Sequence, residues 1–199
     1  PAASPPMPSV IHSRKGQSES GPSRAVEPFK LPAEAEAWVR QTLAGMTLDE
    51  KIGQLVMVNC YGGFTAVDSV EFRWLARHVE ENHAGGLIIA TRAGALGVER
   101  SQVYPTAALV NALQGRARIP LLVGADFERG TAMRLQEGTS FPQAMAVAAT
   151  GSSQDDAYTM GKITALEGCA AGVPWIFAPV ADVNSNPANP IINVRSFGE

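Results

Sequence analysis

A parallel α/β fold is what this 199-residue sequence predicts, and three observations carry the prediction. Short apolar runs of strand length, GGLIIA at 85–90 and IPLLVGA at 119–125, alternate with longer segments of helical periodicity. These runs are apolar on both faces, as strands are when helices cover a parallel sheet. Hydrophobic residues make up 45% of the chain and charged ones 18%, which suits a buried sheet and sets the composition apart from a disordered chain.

Residues 1–29 are dense in Pro and Ser and show no hydrophobic periodicity. They bury too little apolar surface to offset the entropy of ordering, and a disordered linker is expected ahead of one domain over residues 30–199. Order begins near Leu31, with helix formers over 33–43. Thr47-Leu-Asp-Glu50 is a capping box, the Thr hydroxyl taking one free amide and the Glu returning to another, so a helix restarts at Leu48. Ile52, Leu55 and Val56 follow helical spacing, and the run LVMV at 55–58 passes into a first strand. The pattern then gives an amphipathic helix over 67–82 with Val67, Leu75 and Val79 inward, a strand over 85–90, a helix over 101–117 and a strand over 119–125. A helix capped by Ser153 runs to about Cys169, and a strand over 174–180 closes the series. Four strands and three intervening helices fit either a doubly wound open sheet or half of an eight-stranded barrel. Dinucleotide binding in an open sheet needs a G-x-G-x-x-G turn after a strand, and the first strand is followed instead by Gly62-Gly-Phe64.

Charge and composition narrow the function classes. The net charge is −3 and the basic residues are scattered, so the footprint of a nucleic-acid protein is missing. The longest apolar runs are strand-sized, far short of the roughly 20 residues that span a bilayer. Cys60 and Cys169 lie far apart without metal-ligand spacing and read as buried free thiols. His12, His78 and His83 read as solvated, and none has the setting of a base or ligand. Residues 1–29 lack an initiator Met and the apolar core of a signal peptide, as the remnant of a cleavage or a fragment boundary would. Exported enzymes often carry such linkers, so a periplasmic or extracellular location is the favoured expectation, with the cytoplasm as the alternative.

In parallel α/β folds function collects at the carboxyl ends of the strands. Here those ends carry Asn59-Cys-Tyr-Gly-Gly63, Thr91-Arg92, Asp126-Phe-Glu-Arg-Gly130 and Asp182-Val-Asn-Ser-Asn186. Asp126 is the sharpest position, because a carboxylate directly after a buried strand can accept from two vicinal hydroxyls of a sugar. The connection from Asp126 to Gly151 is far longer than an ordinary crossover loop, which favours function over mere connection. Arg134, within it, and Arg195 are planar donors suited to hydroxyls or a carboxylate. Asp182 is expected to order its own Asn- and Pro-rich loop. Asp126 with Glu128, or with Asp182, could be drawn as a glycosidase carboxylate pair, but the spacing in sequence does not supply the distance on which that depends.

Together the motifs KIGQL (51–55), GGLI (85–88), PLLVGADFERG (120–130), FPQAM (141–145), APVADVNSNP (178–187) and VRSFGE (194–199) resemble the amino-terminal barrel domain of family 3 glycoside hydrolases, in one consistent order over residues 30–199. Asn-x-Asn-Pro followed by Arg-Ser-Phe-Gly is similar to the β-N-acetylhexosaminidase branch, whereas β-glucosidases tend to carry a Gly-Arg-x-x-Glu version of this loop. Where many relatives continue Asp-x-Glu with Gly-Gly-Arg, this chain has Arg129-Gly130-Thr131. The resemblance implies a (β/α)8 barrel of which this chain is the amino-terminal half, a retaining mechanism, no metal or organic cofactor, and a saccharide containing N-acetylglucosamine as partner. It further implies that Asp126 holds sugar hydroxyls and that Arg134 and Arg195 help bind the same ring. In that family the His-Asp acid/base pair and the nucleophilic aspartate follow the Arg-Ser-Phe-Gly loop, so they are expected beyond residue 199 and the chain alone is expected to be inactive. A β-glucosidase or β-xylosidase of the same family, a non-catalytic sugar-binding module and a doubly wound nucleotide-binding protein are the alternatives.

Overall fold

The computed structural model describes residues 30–198, and the expected linker over 1–29 lies outside the described residues. The chain divides into two units, one ending at Gln41 and the other beginning at Thr42. Helix α1, Ala33–Ala44, crosses that division. It carries Glu34 and Glu36 in its first turn, where the helix dipole favours acidic groups, and buries none of its residues.

The second unit begins with the predicted capping box. Thr47 Oγ1 accepts from the Glu50 amide, and Glu50 accepts from the Thr47 amide at 2.7 Å, opening α2, Leu48–Gly53. Strand β1, Met57–Tyr61, leads to α3, Val70–Glu80, and then to β2, Gly86–Ala90. A hairpin of β3, Arg92–Gly94, and β4, Gly97–Glu99, comes next. After it stand α4, Val103–Gln114, and β5, Leu122–Ala125. A short helix α5, Ala144–Ala148, the long α6, Ser153–Ala170, and β6, Trp175–Ile176, complete the order.

The main sheet runs β1-β2-β5-β6, all parallel. Its order follows the chain without the reversal that a doubly wound sheet requires, so the four strands wind as half of a barrel does. The register separates two faces. Val58, Leu87 and Val123 form one row, and Cys60, Ile89 and Ala125 the next, all of them buried in one cluster with Phe72, Leu75 and Val79 of α3 and Leu109, Val110 and Leu113 of α4. On the opposite face Asn59, Ile88, Gly124 and Trp175 align, and this face is partly open: Leu122 is 45% and Trp175 42% exposed. Hydrophobic burial therefore drives the helix-covered face, at roughly 25 cal/mol per Å² of apolar surface removed from water. Burial also raises the Cys60 thiol to about 12, with the Glu71 charge adding to it. Cys169, expected inside, is exposed.

Several boundaries differ from the periodicity. Ile52, Leu55 and Val56 are exposed, and β1 begins at Met57. Val67 is also exposed, because Ser69 Oγ accepts from the Phe72 amide and starts α3 three residues later than the apolar pattern implied. Ser152 rather than Ser153 occupies the cap position of α6, without a side-chain cap. Strand β6 is two residues long rather than seven. One more ladder bond follows it, from the Phe177 amide to the Ala125 carbonyl at 2.9 Å, and Pro179 has no amide to donate. None of the described helices is long and apolar enough to cross a membrane.

Candidate functional site

Asp126 is the first residue beyond β5. Phe127 follows with its ring buried, which fixes the backbone and leaves the flanking Asp126 and Glu128 partly exposed. Gly130 then turns the chain at φ +91°, a conformation that side chains strain to adopt. A Cβ at this position would lie 2.2 Å from the Thr139 carbonyl oxygen. The chain makes one 3-10 turn, Thr131–Met133, and presents Arg134 back toward β5. Arg134 Nη2 donates to Asp126 Oδ2 at 2.6 Å, while Asp126 Oδ1 takes no hydrogen bond from the described residues.

The loop that carries Arg134 is anchored from α6. The Glu167 carboxylate accepts from the hydroxyls of Thr131 and Thr139 and from the Thr139 amide. Burial raises its carboxyl, yet these three donors together outweigh that effect and hold it below the ordinary range. Sequence reasoning missed Glu167, which lies in a helix otherwise read only for its periodicity. The one available signal was a pair of threonines flanking the Arg134 arc.

Arg195 arrives from a different direction. Residues 182–198 turn on their own side chains: Asn186 Oδ1 accepts from the Ala188 amide, and Asn189 Oδ1 from those of Ile191 and Ile192. Asp182 does the same for the Val183 amide, the structural part expected of it. The 3-10 turn Asn193–Arg195 then points Arg195 at Glu128, with Nη2 to Oε1 at 2.5 Å and Nε to Oε2 at 2.9 Å. This fork uses both carboxylate oxygens. Those bonds to Glu128, against a smaller cost of burial and with help from the charges of Glu128 and Asp126, push the Arg195 guanidinium upward. Glu128, considered from sequence only as half of a carboxylate pair, thus serves as the clamp for this loop.

Asp126, Arg134 and Arg195 line one cleft of about 340 Å³ at the carboxyl ends of the strands, together with Glu128, Arg129 and Gln143. Asp182 does not line it. The cleft can offer an acceptor, Asp126 Oδ1, flanked by two guanidinium groups whose positions are fixed by carboxylates. Neither lining carboxylate stands without an arginine on it.

Most of the chain is matched by known proteins. The model of the glycosyl hydrolase family 3 N-terminal domain matches residues 47–199. A β-N-acetylglucosaminidase/β-glucosidase of Cellulomonas fimi is 38% identical over 171 residues, which is 86% of this chain and 27% of the relative. Among solved structures, a β-glucoside phosphorylase is 29% identical with a TM-score of 0.72, over 88% of this chain and 29% of its own. A family 3 β-N-acetylglucosaminidase from Paenibacillus sp. str. FPU-7 is 33% identical with a TM-score of 0.61, over 77% of this chain and 28% of its own. The chain thus spans somewhat over a quarter of the length of these relatives. With its strands in barrel order and the family model matching residues 47–199, the chain belongs to glycoside hydrolase family 3, through that family's amino-terminal domain.

Proposed function

We propose that this chain supplies the sugar-binding half of a retaining glycoside hydrolase acting on terminal β-linked N-acetylhexosamine. The observation that carries the proposal is the convergence of Asp126, Arg134 and Arg195 on one cleft, with Asp126 Oδ1 open to it. A pyranose seated there gives two vicinal hydroxyls to Asp126, while Arg134 and Arg195 donate to its remaining oxygens. These contacts position the ring and strengthen as it flattens toward an oxocarbenium-like transition state. Their contribution is binding and orientation.

Bond cleavage falls to other residues. Both oxygens of Glu128 accept from Arg195, which leaves it none for attack on an anomeric carbon, and the open Oδ1 of Asp126 is assigned to ring hydroxyls. In the reaction proposed for the intact protein, an aspartate outside this chain displaces the aglycone to form a glycosyl-enzyme. A second group protonates the leaving oxygen, and water then releases the sugar with net retention. The likeness to the Paenibacillus β-N-acetylglucosaminidase supports N-acetylglucosamine, while the Cellulomonas fimi relative is named for both β-N-acetylglucosaminidase and β-glucosidase activity, which makes a β-glucoside the second reading.

The test compares aryl β-N-acetylglucosaminide, β-glucoside and β-xyloside with the intact protein and with the 199-residue chain. Retaining hydrolysis by the intact protein, fastest on the N-acetylglucosaminide, and none by the chain alone is the expected result. Preference for glucose or xylose would overturn the substrate assignment, and turnover by the chain would overturn the division of labour.

A further inference from the structure

A second cleft of about 430 Å³ lies beside the first and shares Arg129, Met133 and Arg134 with it. Its other side is the β3–β4 hairpin and the residue that follows, with Thr91, Val98 and Arg100 on the wall and Ser140 opposite. Among the described residues the lining holds three guanidinium groups and no carboxylate. Of the three, only Arg134 is neutralised among the described residues, by Asp126. Arg100 donates through Nη1 to the Ala132 carbonyl at 2.9 Å, a neutral partner, and Arg129 makes no ion pair among the described residues.

The carboxylates nearest in sequence are committed elsewhere. Glu99 pairs with Arg92 at 2.8 Å, Glu128 with Arg195, and Glu137 accepts from the Val103 amide at 3.2 Å. The wall that carries Arg100 is itself fixed. Tyr61 donates its hydroxyl to the Arg100 carbonyl at 3.1 Å, the Gln136 amide nitrogen of the side chain donates to the same carbonyl at 2.9 Å, and Arg92 lies 4.1 Å above the Tyr61 ring. Two uncompensated cations thus face one cleft on a braced wall. Planar guanidinium donors with hydroxyls around them match the shape and charge of an oxyanion, and an anion between them relieves their mutual repulsion.

We infer that the hairpin cleft is an oxyanion-binding subsite, with Arg129 and Arg100 as its cationic donors, for a carboxylate, sulfate or phosphate group next to the sugar cleft. The anion is either a substituent of the saccharide that continues out of the first cleft or a free inorganic ion. The inference rests on the arrangement of arginines and stands whether or not the first cleft takes N-acetylglucosamine.

The experiment titrates the intact protein with inorganic phosphate at constant ionic strength, with chloride as the balancing ion, by calorimetry. Saturable binding is expected, weakened about tenfold by Arg129→Ala, which removes an exposed side chain without disturbing the fold, and comparably by Arg100→Gln. Asp126→Asn is expected to tighten phosphate binding, since it releases Arg134 toward the second cleft, while it weakens binding of N-acetylglucosamine. These opposite signs separate this inference from the proposed function. Two β-linked disaccharides, one ending in glucuronate and one in glucose, distinguish the source. If the anion belongs to the saccharide, the glucuronate compound binds more tightly and Arg129→Ala removes only that difference. If the anion is free, phosphate binds equally with and without the neutral disaccharide. Absence of saturable phosphate binding together with equal affinity for the two disaccharides overturns the inference, as does phosphate binding unaltered by Arg129→Ala and Arg100→Gln.

Discussion

The two arginine–carboxylate pairs of the cleft are built in opposite ways. Asp126 and Arg134 are eight residues apart, joined by a single 2.6 Å contact, with Asp126 still 44% exposed. Glu128 and Arg195 are 67 residues apart, joined by a two-bond fork, with Glu128 only 16% exposed. The local pair leaves a carboxylate oxygen available, as the proposed ligand-binding role requires. The distant pair uses both oxygens and acts as a staple between the β5 loop and residues 182–198. Neighbouring carboxylates in one motif thus differ in what they leave open: Asp126 keeps one free oxygen, the one proposed to meet sugar hydroxyls, and Glu128 keeps none.

The largest effect is expected from breaking the arc that makes the local pair possible. Gly130→Ala places a Cβ against the Thr139 carbonyl at positive φ, and should cost about 3 kcal/mol in urea denaturation. A loss below about 1 kcal/mol would mean the arc relaxes more readily than its geometry implies. Next comes the staple. Glu128→Ala leaves Arg195 without its fork and should cost about 2 kcal/mol, with faster amide exchange concentrated in residues 182–198. Uniform exchange changes across the sheet would argue against a local clamp.

A smaller effect follows at the far anchor. Glu167→Ala removes the acceptor shared by Thr131 and Thr139 and should cost about 1–2 kcal/mol at neutral pH. Because the folded-state carboxyl is lowered from 4.5, its stabilisation is fully present above that value and lost as pH falls through the lower folded value. The stability difference between wild type and Glu167→Ala should therefore shrink on acidification below pH 4.5. A difference that persisted unchanged would show that the ionised carboxylate is not what holds the arc.

The same contrast explains what could be read from sequence. The parallel sheet was legible because Leu87, Ile89 and Val123 lie in short, uninterrupted apolar runs, and Asp126 because it follows such a run directly. Arg134 could be named from its place in a long loop. The pairing of Glu128 with Arg195 could not be read, since nothing local to either residue encodes a contact across 67 positions. The hairpin β3–β4 escaped notice because RAGALGVE is short and carries only one β-branched residue, Val98. Its strands are held by their ladder and by the Arg92–Glu99 pair rather than by a buried face. Exposure of Val67 and Leu55 marks the opposite failure, where apolar spacing continued past the point at which a cap had already set the helix boundary.

The central claim is that Asp126 Oδ1 receives sugar hydroxyls while its partner oxygen holds Arg134. Calorimetric titration of the intact protein with N-acetylglucosamine, for wild type and Asp126→Ala, tests it most directly. The account predicts saturable binding that weakens at least about tenfold in the variant, with the denaturation midpoint little changed because an ion pair this exposed adds little stability. Equal affinity in the two proteins, or no binding by the wild type, would contradict it.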